Sequence, residues 1–266
     1  MNAAPQPTTM PTTMPLAATT KPAGAIDRVL REVALNAKAS FIGVADLAPA
    51  YAVVLKPSSR PPQAPLWPRA VSIGVAMNES IVNGIPSFTE AYGKHFYGQA
   101  WPAAKRVAGA VLQWLKKEGF AAGTSSILPG NGYKIAARYS GLAWIGKSCL
   151  AVTPQVGPRV AWEVVFTDAP LRPTAAKPRE RACGDCQRCV DVCPAKAYTG
   201  IPFDEKDHPR RRYDTGKCSA FRKKLGNMFS VGACALCLEI CPYGKKRNIL
   251  LAQPPVRPPA TQPTGK

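Results

Sequence analysis

A chain of 266 residues, 46% of them hydrophobic, is long enough for one sizeable domain with a buried core and a small appended one. Its 28 prolines and 21 glycines call for many loops, and no run of about 18 apolar residues occurs, which excludes a membrane-spanning helix. The formal charge of +19 points to an anionic partner (nucleic acid, a phosphate-bearing cofactor or an acidic electron donor) or simply to solubility.

Residues 1–24 repeat a Pro-Thr-Thr-Met element and hold little that could form a core, as does the tail 253–266, so both are expected to be disordered. Neither an apolar signal core nor a twin-arginine motif opens the chain, so the expected address is the cytoplasm. Ile26, Val29, Leu30, Val33, Ala34 and Ala37 recur at helical spacing, and Phe41 to Ala45 reads as a short strand. Ala70 to Met77 has the β-branched content of a buried strand. Ala103 to Glu118 predicts a helix with Val107, Val111, Trp114 and Leu115 on one face, stopped by Gly119. A further helix is expected over Lys134 to Ser140, interrupted by Gly141 and Gly146, followed by strands at Cys149 to Val152 and Ala161 to Phe166. The alternation predicts an α/β (α+β) domain over 25–171. Beyond Leu171 the texture turns to Pro, Lys, Arg and Cys, and Arg172 to Arg181 forms a basic connection into a second domain, 172–252.

Cys183, Cys186, Cys189, Cys193 and Pro194 make C-x2-C-x2-C-x3-C-P, the bacterial ferredoxin run for 4Fe-4S clusters. Three thiolates two residues apart wrap a loop around one cubane, and the fourth serves a second. Cys218, Cys234, Cys237, Cys241 and Pro242 complete eight ligands, with one cysteine moved upstream. Crossed ligation, as in two-cluster ferredoxins, implies Cys183, Cys186, Cys189 and Cys241 for one cluster and Cys193, Cys218, Cys234 and Cys237 for the other. Eight thiolates and two cores of charge +2 would reduce the net charge to roughly +15. The competing reading is a pair of zinc sites, against which stand the three-cysteine run and the two Cys-Pro endings. The ninth cysteine, Cys149, has apolar neighbours and reads as a buried strand residue. Lys196, Arg210, Arg211, Arg212, Lys217, Arg222, Lys223, Lys224, Lys245, Lys246 and Arg247 flank the motifs and could tune potentials, dock a donor or solvate the surface.

A plain ferredoxin needs only about sixty residues, so the first domain is expected to use the electrons. Tyr133 to Leu171, with its GLAWIGK (141–147), GPRV (157–160) and TDAPL (167–171) elements, together with the isolated Cys218, resembles the epoxyqueuosine reductases, which share a module with the reductive dehalogenases. The resemblance implies a nitroreductase-like corrinoid-binding domain followed by a small ferredoxin-like two-cluster domain. It implies base-off cobalamin, electrons from an external flavodoxin or ferredoxin type donor, and a small-molecule or modified-nucleoside substrate. Gly141, Gly146 and Gly157 would permit close backbone approach to the corrinoid, and Lys147 with Ser148 would meet its phosphate.

Two departures accompany the resemblance. The family's acidic proton donor has no counterpart in Ala91 to Tyr97, AYGKHFY, which leaves His95, Tyr133 and Lys134 as the candidates for proton delivery. The family's helical-repeat extension that grips transfer RNA does not follow the second cysteine motif, which counts against transfer RNA as a partner. Of the two histidines, His95 and His208, neither has the setting of a lower cobalt ligand. The leading expectation is a corrinoid-dependent iron-sulfur reductase, and the alternative is a non-enzymatic electron carrier that docks a partner or reactivates a corrinoid protein. A nucleic-acid-binding protein with a structural cluster has no recognition motif behind it.

Overall fold

The computed structural model describes residues 13–22, 24–54, 66–85, 89–124, 132–207, 209–229 and 233–245. His208 and the tail 253–266 lie outside them.

A four-stranded antiparallel sheet organises the first lobe. It is built from β1 (Phe41–Asp46), β2 (Arg69–Ala76), β3 (Ala122–Gly123) and β6 (Val160–Thr167), in the order β1-β2-β6-β3. A hairpin of β4 (Trp144–Ile145) and β5 (Ala151–Val152) stands apart from it. The two long central strands are apolar on both faces because both are covered. Val71, Ile73 and Val165 meet α1 (Ala25–Asn36) and α5 (Trp101–Lys117) through Ile26, Leu30, Val107, Val111 and Leu115. Ala70, Val164 and Phe166 point the other way, toward Ile135, Ala136 and Tyr139 of α6 (Gly132–Tyr139). Period-two alternation along each strand thus feeds two separate cores.

Short helices α2 (Ala48–Val54), α3 (Glu79–Asn83) and α4 (Thr89–His95) fill the connections, and the second lobe carries α7 (Arg188–Asp191), α8 (Thr215–Phe229) and α9 (Leu236–Glu239). Asn78 caps α3, its side chain accepting from the Ile81 N–H at 3.3 Å. Asn78→Ala should lower stability by about 1 kcal/mol, read as a reduced urea midpoint under anaerobic conditions.

The helix expected from Ala103 begins earlier: α4 passes through a π-helical turn, Phe96–Ala100, directly into α5. Pro102 is the cause. It has no N–H to return to Gly98 and its ring crowds that carbonyl, so the helix opens there by one residue. The wider turn stacks Tyr92 on Phe96 at 6.0 Å and Phe96 on Trp101 at 6.4 Å.

Cys149 does not lie in a strand. It occupies a left-handed conformation, φ 55°, in the turn ahead of β5, where its N–H bonds Gly146 O at 2.9 Å. Part of the N-terminal stretch is docked, with Met14 N–H on Leu66 O and Ala17 N–H on Asp168 O, both at 2.8 Å. Ala17 and Met14 also pack against the two cores. Among the described residues no helix is long and apolar enough to cross a membrane.

Candidate functional site

The cysteines of the second lobe gather into two sets. Cys193, Cys218, Cys234 and Cys237 line one cavity of about 180 Å³, whose far wall is Tyr92, Phe96 and Tyr97 from α4 and the π turn. Local chain geometry explains the grouping: Cys193 follows α7, Cys218 sits in the first turn of α8, and Cys234 and Cys237 flank the start of α9. Burial raises the Cys234 thiol, and Cys193 and Cys218 are among the charges acting on it.

The remaining four form the other set. Burial pushes the Cys189 thiol up to about 11, with Cys183, Cys241 and Cys186 acting next. Cys241 is likewise raised to about 11 by burial, and Cys183 and Cys186 are the thiols acting on it. Cys237 is raised to about 12 by burial and feels Cys189 of the opposite set, which places the two sets side by side. Thiols held neutral in this way must lose protons when metal binds. Among the described residues no group of three Cys, His, Asp or Glu is drawn together around a single metal ion.

The sets are joined to the first lobe by two clamps. In one, the fully buried Arg159 donates from Nη1 to Tyr243 O at 2.6 Å and from Nη2 to Glu239 O at 2.8 Å and Cys241 O at 3.4 Å. Beside it Gly157 has φ +63°, and a Cβ there would sit 2.0 Å from Tyr243 O. Trp144 meets the Tyr243 ring edge-on at 4.7 Å. In the other clamp, Arg138 pairs with Glu205, Tyr139 donates to the same carboxylate at 2.9 Å, and Phe203 is covered by the guanidinium groups of Arg138 and Arg212 at 5.4 and 4.6 Å.

The candidate catalytic residues occupy two different surroundings. His95 is buried, and its Nε2 accepts the Asn78 N–H at 3.1 Å. A backbone N–H only donates, so the proton of the neutral ring lies on Nδ1, where it meets Gln99 Oε1 at 2.9 Å. Both ring nitrogens are therefore engaged inside the protein. Tyr133 is raised to about 12 by burial and then by the Glu163 carboxylate, so it stays a phenol at any physiological pH. Burial holds Lys134 below the usual lysine range, Cys149 opposing and Arg212 adding to the effect.

Lys134, Cys149 and Arg212 thus form one small group, with Arg212 Nη1 3.7 Å from Cys149 Sγ. Cys237 also acts on Lys134, so this group borders the nearer cysteine set. Lys147 and Ser148 are buried at 6% exposure each, and neither polar tip is among the described fully buried atoms that lack a partner. The three glycines face protein atoms: Gly141 faces Ala175, Gly146 faces Val152 with Cys183 Sγ beyond, and Gly157 faces Tyr243. Sequence reasoning did not single out Arg159, although it lies inside the GPRV element, nor Tyr198 and Tyr213. A buried arginine is recognised only once its acceptors are in place.

The second lobe belongs to a recognisable class: residues 182–244 match the family described as a 4Fe-4S double cluster binding domain. Over a longer stretch the chain is similar to an epoxyqueuosine reductase of Atelocyanobacterium thalassa (isolate ALOHA). The two are 32% identical over 117 residues, which is 42% of this chain and 37% of that relative. A solved reductive dehalogenase, described in terms of B12-dependent dehalogenation, shares the fold with a TM-score of 0.64 at 19% identity, over 89% of this chain and 35% of that one. An epoxyqueuosine reductase solved with a tRNA-Tyr epoxyqueuosine-modified tRNA stem loop gives 0.56 at 18% identity, over 85% and 67%. At such identities the structural matches establish a common fold. The matched stretch spans little more than a third of the length of the curated relative.

Proposed function

We propose that the chain is an iron-sulfur reductase in which two 4Fe-4S clusters relay electrons from an external flavodoxin or ferredoxin type donor to a corrinoid held against the first lobe. The observation that carries this reading is the gathering of eight cysteines into two adjacent sets, one of which shares its cavity wall with Tyr92, Phe96 and Tyr97 of the first lobe. A carrier of electrons alone has no need of such a wall.

The thiol sets suit cubanes in number and in their spacing along the chain. For cobalamin the fit rests on Lys147 and Ser148, each only 6% exposed, because an ammonium beside a hydroxyl suits an anion such as a phosphate. Gly141 and Gly146 shape the turns on either side of the β4 strand. When bound, clusters supply single electrons and a corrinoid supplies a strongly reducing cobalt. The chain's own share is to bind, to exclude water and to deliver a proton. Tyr133 serves as the phenolic donor and Lys134, with its lowered affinity for protons, serves beside it. The substrate class is a small molecule or a modified nucleoside, and the cytoplasm is the compartment that suits exposed thiolate chemistry.

The test is a visible spectrum of anaerobically prepared protein supplied with cobalamin, before and after strong reductant. Retained corrinoid bands that change on reduction are expected. Protein that carries iron but retains no cobalamin removes the reductase reading and leaves the electron carrier, which the absence of an acid in AYGKHFY and the engaged nitrogens of His95 favour.

A further inference from the structure

The two cysteine sets differ in how their sulfurs are hydrogen-bonded. Two sulfurs of the set facing the first lobe accept bonds, and the other two have donors acting on them. Ala197 N–H reaches Cys193 Sγ at 3.4 Å and Tyr198 Oη donates to Cys237 Sγ at 3.3 Å, while the Tyr213 phenol acts on Cys218 and the Leu236 backbone N–H on Cys234. In the other set backbone groups act on Cys189 and Cys241, and among the described residues no side-chain hydroxyl bonds a sulfur there. The phenols therefore mark one set only.

Their placement is built into the chain. Tyr198 and Tyr213 face each other across an isolated antiparallel bridge. Asp214 N–H bonds Ala197 O at 2.8 Å and Thr199 N–H bonds Arg212 O at 3.2 Å on either side of it. The rings stack at 5.1 Å with 17° between their planes, which keeps the Tyr213 phenol, the one acting on Cys218, beside the Tyr198 phenol that bonds Cys237. A hydrogen bond to a cluster sulfur favours the more negative, reduced cluster, and it counts for more where water is excluded.

We propose that Tyr198 and Tyr213 are redox-positioning residues. They raise the reduction potential of the cluster held by Cys193, Cys218, Cys234 and Cys237, so that an electron entering the protein rests on the cluster beside the first lobe. This rests on the reading of the two thiol sets as cluster sites, and it is independent of cobalamin.

The experiment is a potentiometric titration of the anaerobic holoprotein followed by electron paramagnetic resonance, for wild type, Tyr198→Phe, Tyr213→Phe and the double variant, each with its iron counted. Phenylalanine keeps the stacked rings and deletes only the donors. Each single variant should lower the potential of one cluster by about 59 mV, a tenfold shift in its one-electron ratio. The double variant should fall furthest, and the other cluster should stay put. Variants that hold about eight irons while both potentials stay unmoved, or move together, overturn the proposal and leave the cluster reading intact. Wild-type protein without iron overturns both. Should a phenylalanine variant lose iron, fluorotyrosine incorporated in place of tyrosine supplies stronger phenolic donors in an unaltered fold. One potential should then rise, and no change in either overturns the proposal.

Discussion

Replacing Cys183 and Cys241 together by alanine should remove one cluster, whereas replacing Cys183 and Cys193 should remove both. Cys183 and Cys241 lie in the same set, drawn together around Cys189, although 58 positions separate them in the chain. Cys193 is only ten positions from Cys183, yet it lines the cavity of the other set with Cys218, Cys234 and Cys237. Iron should fall from about eight to about four atoms per chain in the first double variant, and to near zero in the second. Ligation that followed chain order would give the reverse pattern, so one anaerobic iron determination separates the two arrangements.

Arg159→Met should destabilise the holoprotein by about 3 kcal/mol or more, since each buried carbonyl left without its donor costs about 1 to 3 kcal/mol. The carbonyls at stake belong to Tyr243, Glu239 and Cys241, all in the loop that carries the last ligand. Arg159→Lys keeps the charge but loses the fork that reaches three acceptors, and should recover only part of the loss. Gly157→Ala attacks the same join from the backbone. A left-handed alanine costs about 1 to 2 kcal/mol, and its Cβ would also overlap Tyr243 O, for about 1 to 3 kcal/mol more. In both variants the cluster bound through Cys241 should be released first during anaerobic urea titration, seen as loss of about half of the visible cluster absorbance before global unfolding. Simultaneous loss of both clusters would show that this clamp does not hold Cys241 in particular.

Much of the first lobe is legible from periodicity because its elements bury one definite face or both. Ile26, Leu30 and Ala34 of α1 and Val107, Val111 and Leu115 of α5 are all buried where a 3.6-residue repeat puts them. β2 and β6 read as strands because both of their faces are covered. Strand direction was not readable, since alternating helices and strands are compatible with either a parallel sheet or the antiparallel order found here. The run from Thr89 to Ala100 escaped because its side chains are mixed and its geometry changes at Pro102. α8 escaped because it carries no apolar stripe and most of its described side chains are exposed. At Cys149 local composition misled: Leu150, Ala151 and Val152 suggest a strand, while the turn after Gly146 forces the cysteine into a left-handed conformation just before it.

The amino-acid sequence by itself determined the chemistry available to this protein, because thiolate number and spacing are one-dimensional properties and iron-sulfur ligation depends on them directly. Crossed ligation already implied which cysteines stand together, and only the tertiary structure decided which four face the first lobe. It also decided that Arg159 and Glu205 tie the lobes together and that Tyr198 stacks on Tyr213 beside the cysteines, none of which has a distinguishing pattern in the chain. The physical reason is that a hydrogen bond or an ion pair between distant segments exists only after the cores have folded and fixed their ends in space. No local repeat can encode that distance.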